Sequence, residues 1–357
     1  MEKQTYRLGV IGLGEGRSIL SAAQQSDRFE IANMCDLNEE MCKERAEEFG
    51  LTRYTLNYDD MLNDPDIDVI AIYTPDQLHA RHIKQAFEAG KHVIVTKPML
   101  VNLEGVHELL AASRASGKQL FVGQSSRFFE PMLHQREDYL AGKHGDLEAI
   151  ETYYISDSRW FLERSWSKQS GFSWMYNFMI HAVDLAAWYL PSIEEVFGYG
   201  RSSSTNSAHG LTVPDTMRFL MKDAEGRIAQ VSGSYTTPAL RGIDPGISCT
   251  LRGTNGTSRA VYSKLEYYTK FQGEKSAVHS YQDKRPYYFR FEGESHHAGE
   301  YQNYIEYFAT CLDQGETPKP DLHEGIRTLA VMAAMERSME TGLPVRVADI
   351  LKEHELH

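Results

Sequence analysis

The chain has 357 residues, of which 41% are hydrophobic, and this length is enough for two domains of ordinary size with separate cores. Its 50 acidic residues outnumber the 37 basic ones, and the net charge of −13 opposes binding to nucleic acid or to an anionic membrane surface. The four cysteines lack the C-x-x-C spacing of a zinc site or disulfide framework, and no apolar run reaches membrane length, so we expect a cytoplasmic protein without a metal.

The first third of the chain alternates short apolar runs with helical patterns, which predicts a doubly wound α/β domain around a parallel sheet. The predicted strands are 7–12, 29–35, 68–73, 92–96 and 119–123. The predicted helices lie near 16–25, 38–49, 76–89 and 102–116. The run that begins at Asp68 is nearly all apolar, as expected of a strand that is covered on both faces.

The first predicted strand ends in a glycine-rich turn, Gly12-Leu13-Gly14-Glu15-Gly16, directly before a helix. Backbone N–H groups in such a turn can approach a pyrophosphate at the positive end of the helix, although a plain turn is the alternative for the glycines alone. Asp36 follows the second strand and suits the acid that accepts from a ribose 2′-hydroxyl; no Arg or Lys directly follows it, which favours NAD over NADP. Arg17 replaces the third glycine of the motif, and we expect it to contact the cofactor pyrophosphate.

Two later strands of the same domain end in residues that suit a ligand crevice. Thr74-Pro75 follows the strand 68–73, with His79 in the first turn of the next helix, and Lys97-Pro98 follows the strand 92–96. Because the carboxyl ends of parallel strands face the crevice, we expect Thr74, Pro75 and His79 to lie beside the nicotinamide. Lys97, fixed by Pro98, can direct a cation or proton donor there, and burial would lower its pKa; a solvated loop lysine is the alternative.

From about residue 147 the apolar residues alternate with polar ones, which predicts a second domain built on a mostly antiparallel sheet. The clearest segments are 149–154, 195–200, 217–221, 228–234 and 247–252. A helical pattern from Trp174 to Leu190 separates the first two and puts Asn177 and His181 four residues apart on one face. A hydrogen-bonded core histidine is the alternative for His181.

The region from Tyr153 to Phe178 is rich in aromatic residues, and we assign part of them to the core. The others, with Trp160 and Trp174 as candidates, can stack on the C–H faces of a sugar. His296 and His297 precede a predicted helix over 301–312. A pair of histidines suggests a metal site, but no further ligand at suitable spacing supports one. We therefore expect these histidines to form hydrogen bonds to the substrate. A helix near 322–342 and a strand-like 344–347 end the pattern.

Taken in order, these segments resemble the Gfo/Idh/MocA family, the oxidoreductases named after glucose-fructose oxidoreductase and inositol dehydrogenase. The matching residues are the Gly12 to Gly16 turn, Asp36, Thr74-Pro75 with His79, Ala89-Gly90-Lys91-His92-Val93, Lys97-Pro98, Gly123 with Arg127-Phe128, His181 with Asp184, and Ala334, Ser338, Gly342 and Val345. The resemblance implies an NAD-binding Rossmann domain over 1–125 and, over 126–357, an α+β domain with a large open sheet that binds substrate and forms a homo-oligomer, a dimer or tetramer.

The resemblance also implies that Lys97 and His181 act on the substrate hydroxyl and that Arg127 lies among the substrate-binding residues. Two acids of the family pattern are absent, because Thr96 stands before Lys97 and Asn177 stands four residues before His181. A neutral Asn177 can orient an imidazole but supplies no charge to stabilise the imidazolium. Proton transfer then relies more on Lys97, or on one of His296 and His297.

We therefore expect an NAD-dependent dehydrogenase that oxidises a secondary hydroxyl of a sugar, glycoside or cyclitol. An alternative from a second enzyme class is a glycoside-cleaving enzyme that oxidises the sugar transiently and returns the hydride to it. A third is a non-catalytic NAD-binding protein. NADH accumulates only in the first of these, whereas an aglycone is released without NADH in the second.

Overall fold

The computed structural model describes residues 3–164, 172–240, 243–244, 246–291 and 297–356. The chain divides into two compact units, Met1–Phe128 with Pro286–Ile326 and Phe129–Arg285 with Arg327–His357. The expected boundary between residues 125 and 126 stays a prediction. The return of residues 286–326 to the first unit has no counterpart in the sequence pattern, because it depends on tertiary packing and not on local periodicity.

The first unit contains five strands that pair in parallel throughout. They are β1 (Tyr6–Ile11), β2 (Phe29–Cys35), β3 (Val69–Ile72), β4 (His92–Thr96) and β5 (Leu120–Gly123). Their order in the sheet is β2-β1-β3-β4-β5. The order reverses at β1, and ligands of such sheets bind at the carboxyl ends of the strands beside a reversal. The predicted parallel sheet is confirmed.

The helices of this unit lie between the strands, as their sequence patterns predict. They are α1 (Arg17–Gln24), α2 (Glu39–Phe49), the short α3 (Tyr58–Leu62), α4 (His79–Glu88) and α5 (Val106–Ser116). Asn38 begins α2, where its side chain accepts hydrogen bonds from the N–H groups of Glu40 and Met41. The predicted helices at 76 and 102 begin later than expected, since Asp76–Leu78 forms a 3-10 turn and Gly105 adopts a left-handed conformation before α5.

The second unit is built on a nine-stranded sheet. Its strands are β6 (Leu147–Ile155), β7 (Ile193–Arg201), β8 (Thr216–Asp223), β9 (Ile228–Ser234), β10 (Gly246–Gly253), β11 (Gly256–Val261), β12 (Glu266–Phe271), β13 (Ala277–Ser280) and β14 (Val345–Arg346). The order is β13-β12-β11-β10-β6-β9-β8-β7-β14, and only β6 and β9 pair in parallel. The expected large, mostly antiparallel sheet is confirmed.

Two helices pack on this sheet: α6 (Glu130–Leu140) on β11 and β12, and α7 (Ile180–Tyr189) on β6, β9 and β10. A short helix, α8 (Ser204–Ala208), follows β7, and Tyr199, Leu220 and Ile228 of β7 to β9 are exposed. In β8, buried Met217, Phe219 and Met221 alternate with exposed residues. The predicted helix from Trp174 to Leu190 divides into a π-helical turn over Met175–Met179 and α7, which packs on β6, β9 and β10.

After β13, the chain returns to the first unit by way of α9 (Arg285–Tyr288) and α10 (Gly299–Gln314). α10 packs on α1 and on the 3-10 turn Ser125–Phe128, and its Phe308 stacks on Phe121 of β5 with ring centroids 5.6 Å apart. The chain ends with α11 (Leu322–Thr341), β14 and α12 (Val347–Glu353). Within the described ranges, no helix is both long enough and apolar enough to cross a bilayer.

Candidate active site

The glycine-rich turn connects β1 to α1, and its glycines serve different purposes. Gly12 has a φ of +86°, and a Cβ on it would lie 2.5 Å from the carbonyl carbon of Tyr73. A Cβ on Gly16 would lie 2.3 Å from the carbonyl oxygen of Gly12. A Cβ on Gly14 would meet nothing within 4 Å. Gly12 and Gly16 are thus required by the backbone of the protein itself, whereas Gly14 leaves open space in which a pyrophosphate can approach.

Asp36 stands at the end of β2 and holds the glycine-rich turn. Its Oδ2 accepts a hydrogen bond of 2.8 Å from the N–H of Leu13, and its Oδ1 accepts one of 2.9 Å from the N–H of Asn38. Each carboxylate oxygen has a further lone pair with which to accept from a ribose hydroxyl. The turn and Asp36 together therefore fit a dinucleotide.

Arg17 is the first residue of α1, and its side chain turns toward α2. Its Nε donates to Glu48 at 2.7 Å, and its guanidinium carbon lies 4.2 Å from the ring centre of Phe291. These contacts explain how a long side chain is accommodated at a position that usually holds glycine. The pyrophosphate contact expected of Arg17 stays a prediction.

His79 bridges the backbone segments that follow β3 and β4. Its Nε2 lies 2.8 Å from the carbonyl oxygen of Thr74 and its Nδ1 lies 2.9 Å from that of Pro98. The ring has no exposed surface, so the structure gives His79 the role of fixing two strand-end loops, and its contact with a nicotinamide stays a prediction. Pro75 begins the 3-10 turn before α4, and the hydroxyl of Thr74 lies 2.9 Å from His82 Nδ1.

Lys97 is half-buried directly after β4. Burial lowers the pKa of its ammonium group, and the nearby charges of Asp76 and Glu15 partly oppose this shift. The structure thus brings Thr74, His79, Lys97 and Pro98 together at the carboxyl ends of two adjacent strands. An ammonium group with a lowered pKa in this position is a strong hydrogen-bond donor that can also release its proton.

In the second unit, His181 lies in α7 and Asn177 in the π-helical turn before it. The ring of His181 is edge-on to Tyr154 at 5.8 Å, and the side-chain oxygen of Asn177 accepts a hydrogen bond of 3.1 Å from the N–H of Ser173. Burial raises the pKa of Tyr154 to about 12, so its hydroxyl stays protonated at neutral pH and can donate. The sequence reasoning had counted Tyr154 only among the aromatic residues; its signal was its position in β6, facing α7.

The two candidate tryptophans differ in exposure. Trp160 is 49% exposed, whereas Trp174 is wholly buried, stacks on Tyr235 at 5.3 Å and donates its N–H to Asn206 at 2.9 Å. A ring that is enclosed on all sides presents no face to a sugar, so the structure gives Trp174 a packing role and its substrate contact stays untested. Trp160 stays half-exposed, with the guanidinium carbon of Arg164 5.6 Å from its ring centre.

Two further candidates lie in the first unit. Arg127 is 3% exposed at its side chain and pairs with Glu324 at 3.3 Å. His297 forms an ion pair with Glu300, a fully buried acid in the first turn of α10. The sequence reasoning missed Glu300, although its spacing of three residues from His297 at a helix start was a usable signal. His296 lies outside the described residues.

Within the part of the chain that the structure describes, no cluster of three His, Cys, Asp or Glu side chains is arranged to hold a metal ion.

Comparison with known proteins identifies the family. Residues 6–124 match the family described as "Oxidoreductase family, NAD-binding Rossmann fold", and residues 143–347 match the one described as "Oxidoreductase family, C-terminal alpha/beta domain". The chain belongs to the Gfo/Idh/MocA family. This confirms the resemblance drawn from the motifs, the expectation of an oxidoreductase and the assignment of an NAD-binding domain.

Individual relatives are distant. Uncharacterized oxidoreductase YrbE of Bacillus subtilis (strain 168) is 26% identical over 345 residues, which cover 95% of this chain and 96% of that protein. The 1-carboxy-3-chloro-3,4-dihydroxycyclohexa-1,5-diene dehydrogenase of Comamonas testosteroni is 31% identical over 152 residues, but these span only 42% of this chain and 38% of that enzyme. Levoglucosan dehydrogenase, solved with NADH and levoglucosan, has a TM-score of 0.82 and 21% identity over 96% of this chain and 100% of that chain. At that identity the similarity establishes the fold alone.

The geometry of the glycine-rich turn indicates which residues would hold NAD. Gly14 would allow the pyrophosphate to approach a turn whose shape depends on Gly12, Leu13 and Gly16, and Asp36 would accept a hydrogen bond from the ribose. Bound NAD supplies a nicotinamide ring that accepts a hydride.

Proposed function

We propose that the protein oxidises a secondary hydroxyl group of a sugar, glycoside or cyclitol and passes the hydride to NAD. The observation that carries the proposal is Lys97, a half-buried lysine with a lowered pKa at the carboxyl end of a strand in an NAD-binding domain. The substrate class is supported by two similar proteins, since one was solved with the sugar derivative levoglucosan and the other is named as a dehydrogenase of a cyclic diol.

In this proposal Lys97 and His181 act on the same substrate oxygen. The Lys97 ammonium donates a hydrogen bond to that oxygen and favours the negative charge that develops as the carbinol C–H bond breaks. His181 accepts the hydroxyl proton as a general base, and Asn177 orients its ring without charging it. The protein would thus take up the hydroxyl proton, and bound NAD would supply the hydride acceptor.

His297 is a second candidate for proton transfer. It pairs with Glu300, so a carboxylate supports its imidazolium form, which the neutral Asn177 cannot do for His181. We further assign Trp160 to substrate binding as a stacking surface, while Trp174 is left to the core. The substrate contact expected of Arg127 stays a prediction, because its side chain is 3% exposed and pairs with Glu324.

Replacement of the two reactive residues tests the mechanism. Lys97→Ala and His181→Ala are each expected to lower kcat by about 10²–10⁴-fold, the contribution typical of a positioned acid or base, while the Kd for NAD stays within about twofold. Lys84→Ala, which removes a partly exposed lysine from α4, is the matched control. Turnover at the wild-type rate in either variant removes that residue from the mechanism.

A glycoside-cleaving reaction is the second candidate function, favoured by the exposed ring of Trp160, which suits an aryl or sugar group. In that reaction the hydride returns to the sugar after the aglycone leaves. An NADH-absorbance screen over free sugars, inositols, glycosides and sugar acids, with mass analysis of the products, separates the two. NADH accumulation supports the dehydrogenase, aglycone release without NADH supports cleavage, and NAD binding with no reaction on any compound supports a non-catalytic protein.

We also propose a homo-oligomer, a dimer or tetramer, that associates through the open face of the nine-stranded sheet. Tyr199, Leu220 and Ile228 share this face and are 64%, 57% and 51% exposed. Such a patch of large apolar side chains marks an interface. Leu220→Glu is expected to reduce the mass seen by sedimentation velocity, and an unchanged mass contradicts this interface.

All four cysteines are free thiols, which supports a cytoplasmic location.

A further inference from the structure

Three charged side chains meet beside the glycine-rich turn. Glu48 of α2 pairs through Oε1 with Arg17 of α1 at 2.6 Å and through Oε2 with Arg45 of α2 at 2.9 Å. The side chains of Arg17 and Arg45 are 15% exposed, and that of Glu48 is 24% exposed. One carboxylate thus engages two guanidinium groups in a partly desolvated setting, where such pairs are stronger than at an open surface.

This ion-pair cluster adjoins the residue that would receive the adenosine ribose. Arg45 Nε donates to the carbonyl oxygen of Leu13 at 3.3 Å, and the N–H of Leu13 donates to Asp36 at 2.8 Å. Arg45 and Asp36 therefore hold the two ends of the same residue. Asp36 is the acid suited to the ribose 2′-hydroxyl, and the 2′ position is where NAD and NADP differ.

The structure adds two arginines that the preference for NAD, inferred from the sequence after Asp36, did not take into account. The residues directly after Asp36 include no Arg or Lys, yet the packing of α1 against α2 brings Arg17 and Arg45 to this region from elsewhere in the chain. Guanidinium groups are the side chains best suited to a phosphate, because they donate in a planar fork. Their pairing with Glu48 occupies donors and offsets part of their charge.

We propose that Glu48 sets the cofactor preference of this protein, by engaging two arginines that would otherwise favour the 2′-phosphate of NADP. Phe291 contributes, since Arg17 lies 4.2 Å from its ring and is kept in place when the carboxylate is removed. Arg45 is likewise kept by its hydrogen bond to Leu13. Loss of the negative charge on Glu48 therefore changes the electrostatics of the 2′ position more than its shape.

Calorimetric titration of the full chain with NAD⁺ and with NADP⁺ tests the proposal without any substrate, so a failure of the proposed sugar oxidation does not affect it. Glu48→Gln is expected to lower the Kd for NADP⁺ about tenfold, the gain typical of one charge-assisted hydrogen bond, and to change the Kd for NAD⁺ less than about twofold. Glu44→Gln, which neutralises an exposed acid on the same helix, is the matched control and is expected to change neither value.

Addition of Arg45→Met to Glu48→Gln is expected to remove most of the gain in NADP⁺ affinity. An unchanged ratio of the two Kd values in Glu48→Gln overturns the proposal, and so does an equal change in both, which would reflect only a structural role. Arg45→Met alone keeps the test decisive if Glu48→Gln does not fold: it leaves Glu48 with more uncompensated charge, so NADP⁺ binding is expected to weaken about threefold more than NAD⁺ binding. Equal weakening of both contradicts the proposal.

Discussion

The first and second units position their candidate reactive residues by different means. In the first unit, Lys97 and the glycine-rich turn follow directly after strands of a parallel sheet, and Thr74 lies two residues after the end of another. The hydrogen bonds of the sheet fix where each strand ends, so a residue at that point is placed by the backbone. The type of side chain at that point then decides which reaction or contact the residue can support.

In the second unit, His181 and the aromatic residues are positioned by the packing of side chains. His181 follows a π-helical turn, and Trp174 is clamped between Tyr235 and its hydrogen bond to Asn206. Two tryptophans of the same region, Trp160 and Trp174, differ completely in exposure. Short sequence patterns therefore locate function well where the backbone places residues, and poorly where packing decides which face of a ring is available.

The largest expected effect comes from the two tryptophans. Trp174→Ala is expected to lower the free energy of unfolding by about 3–5 kcal/mol, because it leaves a large cavity and removes the donor that the side-chain oxygen of Asn206 accepts from. Trp160→Ala is expected to change it by less than about 0.5 kcal/mol while raising KM for the sugar substrate. Urea denaturation and steady-state kinetics measure the two quantities. Equal losses of stability in both variants would contradict the distinction between packing and substrate contact.

The glycines of the turn give a matched pair in the first unit. Gly12→Ala is expected to destabilise the fold by about 2–3 kcal/mol, because its Cβ would meet the backbone of Tyr73 at 2.5 Å and its φ is +86°. Gly14→Ala is expected to leave stability unchanged but to weaken NAD binding about tenfold, since its Cβ would occupy the open space beside the turn. Unchanged NAD affinity in Gly14→Ala would show that this space is not used by the cofactor.

The same contrast explains how much of the fold was predictable. The strands 29–35 and 92–96 were predicted with the bounds that the structure has, because each is a short, mostly apolar run with polar residues on both sides. Strand β13 was missed because all four of its residues are exposed, so no alternation marks it. The return of α10 to α1 was invisible for another reason, since it is a contact between segments far apart in the chain.

For the candidate site, spacing along the sequence was informative only within one loop or one helix. It identified the glycine-rich turn, Asp36 and Lys97-Pro98, but not the contact of Arg45 with Leu13 or the pair of His297 with Glu300. The Asn177 and His181 spacing was recognised, yet the π-helical turn that carries Asn177 has no sequence signature. Contacts made by packing one helix on another require the structure.

The smallest expected effect is a change in the free energy of unfolding with pH, caused by His92, a histidine that accepts a hydrogen bond from the backbone. Burial, together with the charge of Lys118, lowers the pKa of His92 from 6.5 to about 4, and its Nδ1 accepts a hydrogen bond of 3.1 Å from the N–H of Gln119. The folded pKa lies below the unfolded one, so the stability contributed by the neutral ring is complete above pH 6.5 and is lost as the pH falls toward 4. Allowing for solvent screening, we expect a loss on the order of 1 kcal/mol.

His92→Asn isolates this effect, because the amide oxygen of Asn can accept the same hydrogen bond and does not titrate in this range. The free energy of unfolding of this variant, measured by urea denaturation at pH values between 7 and about 4.5, is expected to fall less steeply than that of the wild type. His107→Asn, at an exposed position of α5, serves as the control with a wild-type slope. If His92→Asn follows the wild-type curve, the loss of stability at low pH does not come from His92.

The strand end would then have to rearrange when His92 is protonated, because a protonated Nδ1 cannot accept the hydrogen bond from Gln119. Such a rearrangement would weaken the contrast between the two units, since it would mean that the backbone alone does not hold a side chain at a strand end.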